Sequence, residues 1–384
     1  MKLTPKLVSI LVLCITLSSV TAFGTLPLTS FVIEVAYDGT LFNGWTASSN
    51  ESSQQTVDIT RKQRGRSRRN RLRPSVKDGE IRSVEQSLKY SLAKLYGNVD
   101  PGRIVVEGCS RTDKGVHSKG SCALVYCMND NNTHESFPID GKRIPHPMHA
   151  QDGAFKEVPF KSDLKQLVFA MNKMLPPDVR IRNSSPMPSR KDDAEGRPFH
   201  PSLDSKGKIY RYTFSVGEIN DPIRNRDVFH VPHCDTIDIS RAKECAKILC
   251  GHHDFEPFRA SFRGNERGKE QNTMCTIHSI DIKEEDGPST SLCKTYQIDI
   301  EGDRFLYKQV RLMVGVIINY AKSDVSIEYV KNILESKVWP ESEDGLQLLP
   351  RYCAPAHGLC LRSVVYDSDF EFDWVMEEEE KVMV

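Results

Sequence analysis

Two strand-like runs, Ile104-Val105-Val106 and Cys122-Ala123-Leu124-Val125-Tyr126, flank the turn-prone segment Gly108-Cys109-Ser110-Arg111-Thr112-Asp113-Lys114-Gly115-Val116-His117. β-Branched and apolar residues favour extended, half-buried backbone, whereas Gly, Ser, Thr and Asp favour reversal of the chain. The pattern demands two anchored strands joined by a loop, and that loop carries one carboxylate, Asp113. A carboxylate held out in this way suits a nucleophile or a base. Asp113 and Thr112 can equally cap a turn, and spacing alone leaves both readings open.

Phe31 to Tyr37 reads as a first strand. Ser83-Val84-Glu85-Gln86 fits a capping box, and Val84, Leu88, Leu92 and Leu95 then recur at helical spacing, so a helix is expected over 83–96. A second helix is expected over 162–174, stopped by Pro176-Pro177, and a third over 239–249. Lys208 to Val216, Ile277 to Ile282 and Thr295 to Ile300 read as strands, the last two around the break Glu285-Asp286-Gly287-Pro288. Phe305 to Tyr320 reads as a helix that is apolar nearly all round. Strands before and after helices, with hairpins, predict an α+β fold with a mixed or antiparallel sheet.

The chain divides into a leader (1–22), an N-terminal half (30–200), a C-terminal half (201–367) and an acidic tail (368–384). Residues 46–80 and 129–160 are polar, lack periodicity and read as insertions in the first half. Net charge is zero, with 52 basic and 52 acidic residues, so overall charge points to no class of partner. Residues 61–73, however, hold eight basic residues and no acidic one. Such a block is a solvated arm or a source of phosphate contacts. The eleven cysteines show no regular spacing and no C-x-x-C pair, which argues against a zinc site or a disulfide framework. Lys2 and Lys6 precede an apolar run from Leu7 to Val20, followed by small residues at Val20-Thr21-Ala22. This reads as a secretory-type signal. Thr21-Ala22-Phe23 resembles the junction of bipartite plastid presequences, so a plastid reached through the secretory route is the expected destination. A mitochondrial or cytosolic location and a wrongly assigned start are the alternatives.

Six motifs, in order and covering residues 31 to 366, resemble those of TruA-type tRNA pseudouridine synthases. Arg111-Thr112-Asp113-Lys114-Gly115-Val116-His117 is similar to the R-T-D-x-G-V-H signature of that family. Tyr37-Asp38-Gly39-Thr40-Leu41-Phe42-Asn43-Gly44-Trp45 resembles Y-D-G-x-x-F-x-G-W, and Lys208-Ile209-Tyr210-Arg211-Tyr212 resembles K-x-Y-R-Y. His253 to Arg259 resembles H-D-F-x-x-F-R, Phe305 to Gly315 resembles F-L-Y-H-Q-V-R-x-M-V-G, and Ala354 to Leu359 resembles A-P-A-x-G-L. Three positions depart from the usual pattern: Ser110 stands where Gly is usual, Lys308 where His is, and Thr46 where Gln is.

The resemblance implies a pseudouridine synthase fold of two α/β halves that join their sheets about a basic cleft. It implies isomerisation of uridine to pseudouridine in the anticodon stem-loop of tRNA, at family positions 38–40, by a homodimer with no membrane association. No redox step or external group is needed, so no cofactor or metal is expected. Asp113 would be the catalytic residue, as nucleophile or as a base for a sugar proton. Arg311, costly in an apolar helix without a carboxylate partner, would keep Asp113 ionised. Tyr210 would contact the flipped uracil and relay a proton. Arg111 would hold RNA phosphate or fill the gap left by the extruded nucleotide, Arg211 would bind substrate, and His117 would order the loop. A silent RNA-binding paralogue would be expected to lack Asp113 or Arg311. A secreted hydrolase with an Asp nucleophile would need a second carboxylate near Asp113, where Arg111 and Lys114 stand instead.

Overall fold

The computed structural model describes residues 27–46, 82–129, 154–190, 199–260, 272–285, 293–337, 339 and 353–376. The leader, the basic block 61–73 and most of both predicted insertions lie outside these residues.

In the N-terminal half, β1 (Ser30–Tyr37) lies between β3 (His117–Cys127) and β4 (Val179–Pro186), antiparallel to both. The end of β3 also pairs with β2 (Ile104–Gly108). Two helices cover one face of these strands. α1 (Val84–Leu95) is capped by the Ser83 hydroxyl, which accepts from the Gln86 amide at 3.2 Å, and α2 (Leu164–Met174) by Asp163. Each cap satisfies an amide that has no partner inside the helix. Leu88, Leu92, Leu167 and Met171 bury against Ile33, Val35 and Val125, which all lie on that face.

In the C-terminal half, β6 (Ser205–Gly217), β9 (Met274–Glu284) and β10 (Cys293–Gly302) form an antiparallel sheet, edged by β8 (Gly251–Asp254). α3 (Ile239–Leu249), α4 (Gln309–Ala321) and α5 (Ile327–Ser336) pack on it through Cys245, Leu249, Met313, Ile317 and Ile333. β11 (Leu359–Tyr366) pairs antiparallel with β6, and its Cys360 and Leu361 run parallel to His117 and Ser118 of β3. That short parallel seam makes one ten-stranded mixed sheet of the two halves, with β7 (Phe229–His230) added beside β6. The architecture is α+β, with the sheets joined.

Two segments are more deeply built in than their composition suggests. Residues 154–160 fall within the second predicted insertion, yet Ala154 and Val158 are buried and Phe155 bridges Met128. The stretch 370–376, at the start of the acidic tail, is an aromatic clasp. Phe370 of the short β12 (Phe370–Glu371) meets Phe199, and Phe372 stacks on Trp374. β12 pairs with β5 (Ser189–Arg190).

Candidate active site

Asp113 sits in the connection between β2 and β3, and four separate segments hold that connection. The first is the turn after β1. Tyr37 hydroxyl and Thr112 Oγ1 are 2.8 Å apart, the Phe42 carbonyl accepts from the Gly115 amide at 3.2 Å, and the Thr112 carbonyl accepts from the Trp45 amide at 3.2 Å. Gly39 and Gly44 are required by contact. A Cβ at Gly39 would overlap the Val116 carbonyl, and one at Gly44 would lie 2.5 Å from the Thr112 oxygen. Gly44 also has φ +107°, which side chains with a Cβ rarely adopt. Trp45 is buried across Gly108. The Tyr37–Trp45 motif is therefore the cradle of the Asp113 loop.

The second support is His117 at the start of β3. Its Nδ1 lies 3.1 Å from the Gly39 amide and 3.2 Å from Asp38 Oδ1. Burial alone would raise the Asp38 pKa, but bonds from the Thr40 hydroxyl and amide, with His117 and Arg226 nearby, hold it below the usual value. Gly39→Ala is expected to cost about 2–4 kcal/mol and to displace the Asp113 loop. Thermal melts and isomerisation rates measured on the same variant check this: a wild-type rate would show that the loop holds its place without the cradle.

The third support is β6, whose alternation separates its motif onto two faces. Tyr210 faces the loop, with its hydroxyl 3.4 Å from Ser110 Oγ. Burial pushes its hydroxyl pKa well up, against a lowering by the bond to Ser110, with Cys109 and then Asp113 adding smaller upward pushes. Phe305 meets the ring edge to face at 5.2 Å between centroids. Arg211 turns to the opposite face, where it forks Asp299 at 2.6 and 2.5 Å. It lines a recess of about 570 Å³ with Asp38, Arg180, Arg224 and Arg226. The structure thus does not bring Arg211 to Asp113, because adjacent strand residues cannot share a face.

The fourth support is α4 with the Ala354–Gly358 turn. Lys308 enters the helix at φ 62°, and the Gln309 side chain, fully buried, folds back to accept from the Leu306 amide at 2.7 Å. The helix therefore starts at Gln309, later than its apolar pattern suggests, and Phe305 to Lys308 precede it. Arg311 donates through Nε to the Ala354 carbonyl at 2.7 Å and places Nη1 3.8 Å from Asp113 Oδ2. The Tyr212 hydroxyl donates to the Pro355 carbonyl at 2.9 Å, fixing the same turn. Asp113, Tyr210 and Arg311 thus converge from a loop, a strand and a helix. Arg111 is exposed at the mouth of the loop. The His253–Arg259 motif instead packs Phe255 and Phe258 into the C-terminal core, and the Ala260 amide just after it donates at 3.0 Å to the carbonyl of Tyr307, in the segment that leads into α4.

His357, in the same turn, is held below the usual His range by burial, then by His117 and Arg311, with Asp227 opposing. The folded chain therefore takes up this proton less readily than the unfolded chain does. Stability contributed here is complete above the unfolded pKa of 6.5 and declines as pH falls through it. His357→Gln is expected to lose less melting temperature than wild type between about pH 7.5 and 5.5, and an identical loss would show that this histidine plays no part.

Among the described residues no cluster of three or more His, Cys, Asp or Glu side chains could hold a metal ion. The site is one of acid–base and charge chemistry: a carboxylate with a guanidinium beside it, on a sheet floor with an aromatic hydroxyl, in an α+β fold of joined halves. That is the architecture of a pseudouridine synthase, and residues 245–367 match the family model for tRNA pseudouridine synthase. The chain is 25% identical over 339 residues to tRNA pseudouridine synthase A 1 of Protochlamydia amoebophila, covering 88% of this chain and 97% of that one. It is 27% identical over 335 residues to tRNA pseudouridine synthase A 2 of Clostridium tetani, covering 87% and 98%. Over nearly its whole length, then, the chain is similar to the tRNA pseudouridine synthases A.

Proposed function

We propose that this protein isomerises uridine to pseudouridine in the anticodon stem-loop of tRNA, with Asp113 acting at the sugar. The observation that carries this reading is the convergence of Asp113, Arg311 and Tyr210, three residue types that match the family motifs in order. The C1′–N1 bond breaks with its electron pair leaving on the base. Asp113 either bonds C1′ or removes a sugar proton; both routes need an ionised carboxylate, which the guanidinium of Arg311 favours. The freed uracil turns on Tyr210 and C5 bonds C1′ as the Asp113 oxygen leaves it or, on the other route, as Asp113 returns the sugar proton; the C5 proton is then lost and N1 gains one. Atoms and electrons balance without an external reactant. Arg111 contributes a phosphate contact at the mouth of the loop. Mapping pseudouridine in tRNA treated with the purified protein tests the reading: new pseudouridine at positions 38–40 supports it, and its absence from every tRNA offered refutes it.

The arm 61–73 supplies further phosphate contacts, on its charge alone. Deleting residues 50–78 is expected to flatten the salt dependence of tRNA binding while sparing the rate at saturating tRNA, and an unchanged salt slope would show the arm idle. The active form is proposed to be a homodimer, on the family likeness. The leader is proposed to direct import into an organelle, a plastid in the first instance. Residues 1–45 fused to a fluorescent protein test this, with a diffuse cytosolic signal rejecting it.

A further inference from the structure

Lys208 belongs to the Lys208–Tyr212 motif, lies on the same face of β6 as Tyr210, and has no task in the chemistry above. It stands two positions before Tyr210 on β6, so both side chains rise from the same face, about 6.6 Å apart along the strand. Tyr212 follows on that face, and its hydroxyl anchors the turn that holds Arg311. The loop crosses this row of three side chains. Cys109 interacts electrostatically with Lys208, Ser110 meets the Tyr210 hydroxyl, and Asp113 lies further along with Arg311. The row thus has a cation near each end, Arg311 beside the carboxylate and Lys208 on the far side of the tyrosine.

The two cations are satisfied differently. Arg311 has a carbonyl and a carboxylate. Lys208 is half-buried, and its Nζ makes a 3.3 Å bond to Ser205 Oγ. The acid that influences it, Asp303, is occupied by the amides of Thr276 and Arg304 at 2.9 and 2.6 Å. Among the described residues no carboxylate forms an ion pair with Lys208. Burial lowers its pKa, with Cys109 and Asp303 acting the other way. A partly desolvated ammonium without an anion is costly to fold around, and an anion that arrives with the substrate removes that cost.

We propose that Lys208 is a further catalytic residue: its ammonium hydrogen-bonds a carbonyl oxygen of the uracil and neutralises the charge that gathers on the base as the C1′–N1 bond breaks. This deepens the pseudouridine synthase reading and rests on it. With Asp113 at C1′ and the base lying over Tyr210, the exocyclic oxygens of the ring extend along β6 toward Lys208. The electron pair of the broken bond spreads from N1 onto O2 and O4, where a fixed cation has its greatest effect. Lys208 keeps its proton throughout. It holds the detached base while the ring turns, and charge leaves the oxygen again when C5 bonds C1′.

The test is single-turnover tritium release from tRNA carrying 5-tritiated uridine, at saturating enzyme. Lys208→Met is expected to slow release by roughly 10–100-fold, to leave the tRNA Kd and its salt slope unchanged, and to be substantially restored in Lys208→Arg. Lys208→Gln, which can keep the bond to Ser205, provides a second neutral variant, and thermal melts establish that each is folded. Substrate with 5-fluorouridine at the target gives a readout that a merely structural role would not move. Fluorine stabilises the departing anion, so the deficit in C1′–N1 cleavage should shrink. An undiminished rate in either folded neutral variant overturns the proposal. So does a loss confined to Kd with a salt slope lower by about one, which would make Lys208 a phosphate contact. A wild-type enzyme that releases no tritium would refute the function itself, a result distinct from either of these.

Discussion

Asp113→Asn is expected to reduce pseudouridine formation by roughly 10⁴-fold or more, the size of loss seen when a group acting directly at the reacting atoms is removed. The substitution preserves shape. The loop is held by the Thr112 carbonyl, the Thr112 hydroxyl and the Gly115 amide, none of which belongs to the Asp113 side chain, so the fold and the tRNA affinity should persist. An amide can neither bond C1′ and leave again nor take up a sugar proton at neutral pH. Removing the negative charge also leaves the Arg311 guanidinium without its carboxylate at 3.8 Å. The uncompensated cation should bind the RNA slightly more tightly, if it changes binding at all. Single-turnover conversion at saturating enzyme, with a parallel binding isotherm, separates the two effects. Turnover within an order of magnitude of wild type would remove Asp113 from the chemistry, whatever its position.

The sequence showed the parts of this site better than it showed what joins them. The Asp113 loop stands out because strand-forming runs bracket it, and α1 and α3 because their caps and apolar spacing agree. β11 is far less visible. It alternates poorly, follows a stretch without periodicity, and gains its meaning only from pairing with β6 and β3, which lie far from it in the chain. β4 is weak for a related reason: Arg180 and Arg182 alternate with buried Val179 and Ile181, but the alternation ends there because Asn183, Ser184 and Ser185 are all buried, and its partner is the first strand in the chain. Short apolar segments of this kind carry little local signal, and tertiary pairing decides them.

The site residues divide in the same manner. Asp113 and Arg311 could be named from residue chemistry together with the motif order. The separation of Tyr210 from Arg211 follows from strand alternation, once Lys208 to Val216 is read as a strand. The period of two places Lys208, Tyr210 and Tyr212 together and sends Arg211 to Asp299. The glycines were legible as residues but not as reasons. Only the close approach of the Val116 and Thr112 carbonyls shows that Gly39 and Gly44 serve the catalytic loop rather than their own turn.

Arg311→Met is expected to lower the single-turnover rate about 10²–10³-fold, the usual range when one preorganised electrostatic partner is deleted from a reacting centre. Two consequences follow from the geometry. The Nε bond to the Ala354 carbonyl at 2.7 Å is lost, so the turn that packs beside Gly115 is tied to α4 only by the backbone bond from the Ala354 amide to the carbonyl of residue 311 at 3.0 Å. The carboxylate of Asp113 also loses its cation, and the acid side of the pH–rate profile should move to higher pH, since an opposite charge favours the ionised form. Arg311→Lys separates these effects. A lysine has one nitrogen where the guanidinium has three, so it cannot donate to Ala354 through one atom and reach Asp113 with another. It should therefore recover part of the charge effect and little of the positioning. The expected order of rates is wild type, then Lys, then Met, with the pH profile of the Lys variant close to wild type. If both variants fell equally and neither profile moved, the guanidinium would be acting through the Ala354 turn alone, and the charge coupling between Arg311 and Asp113 would be refuted.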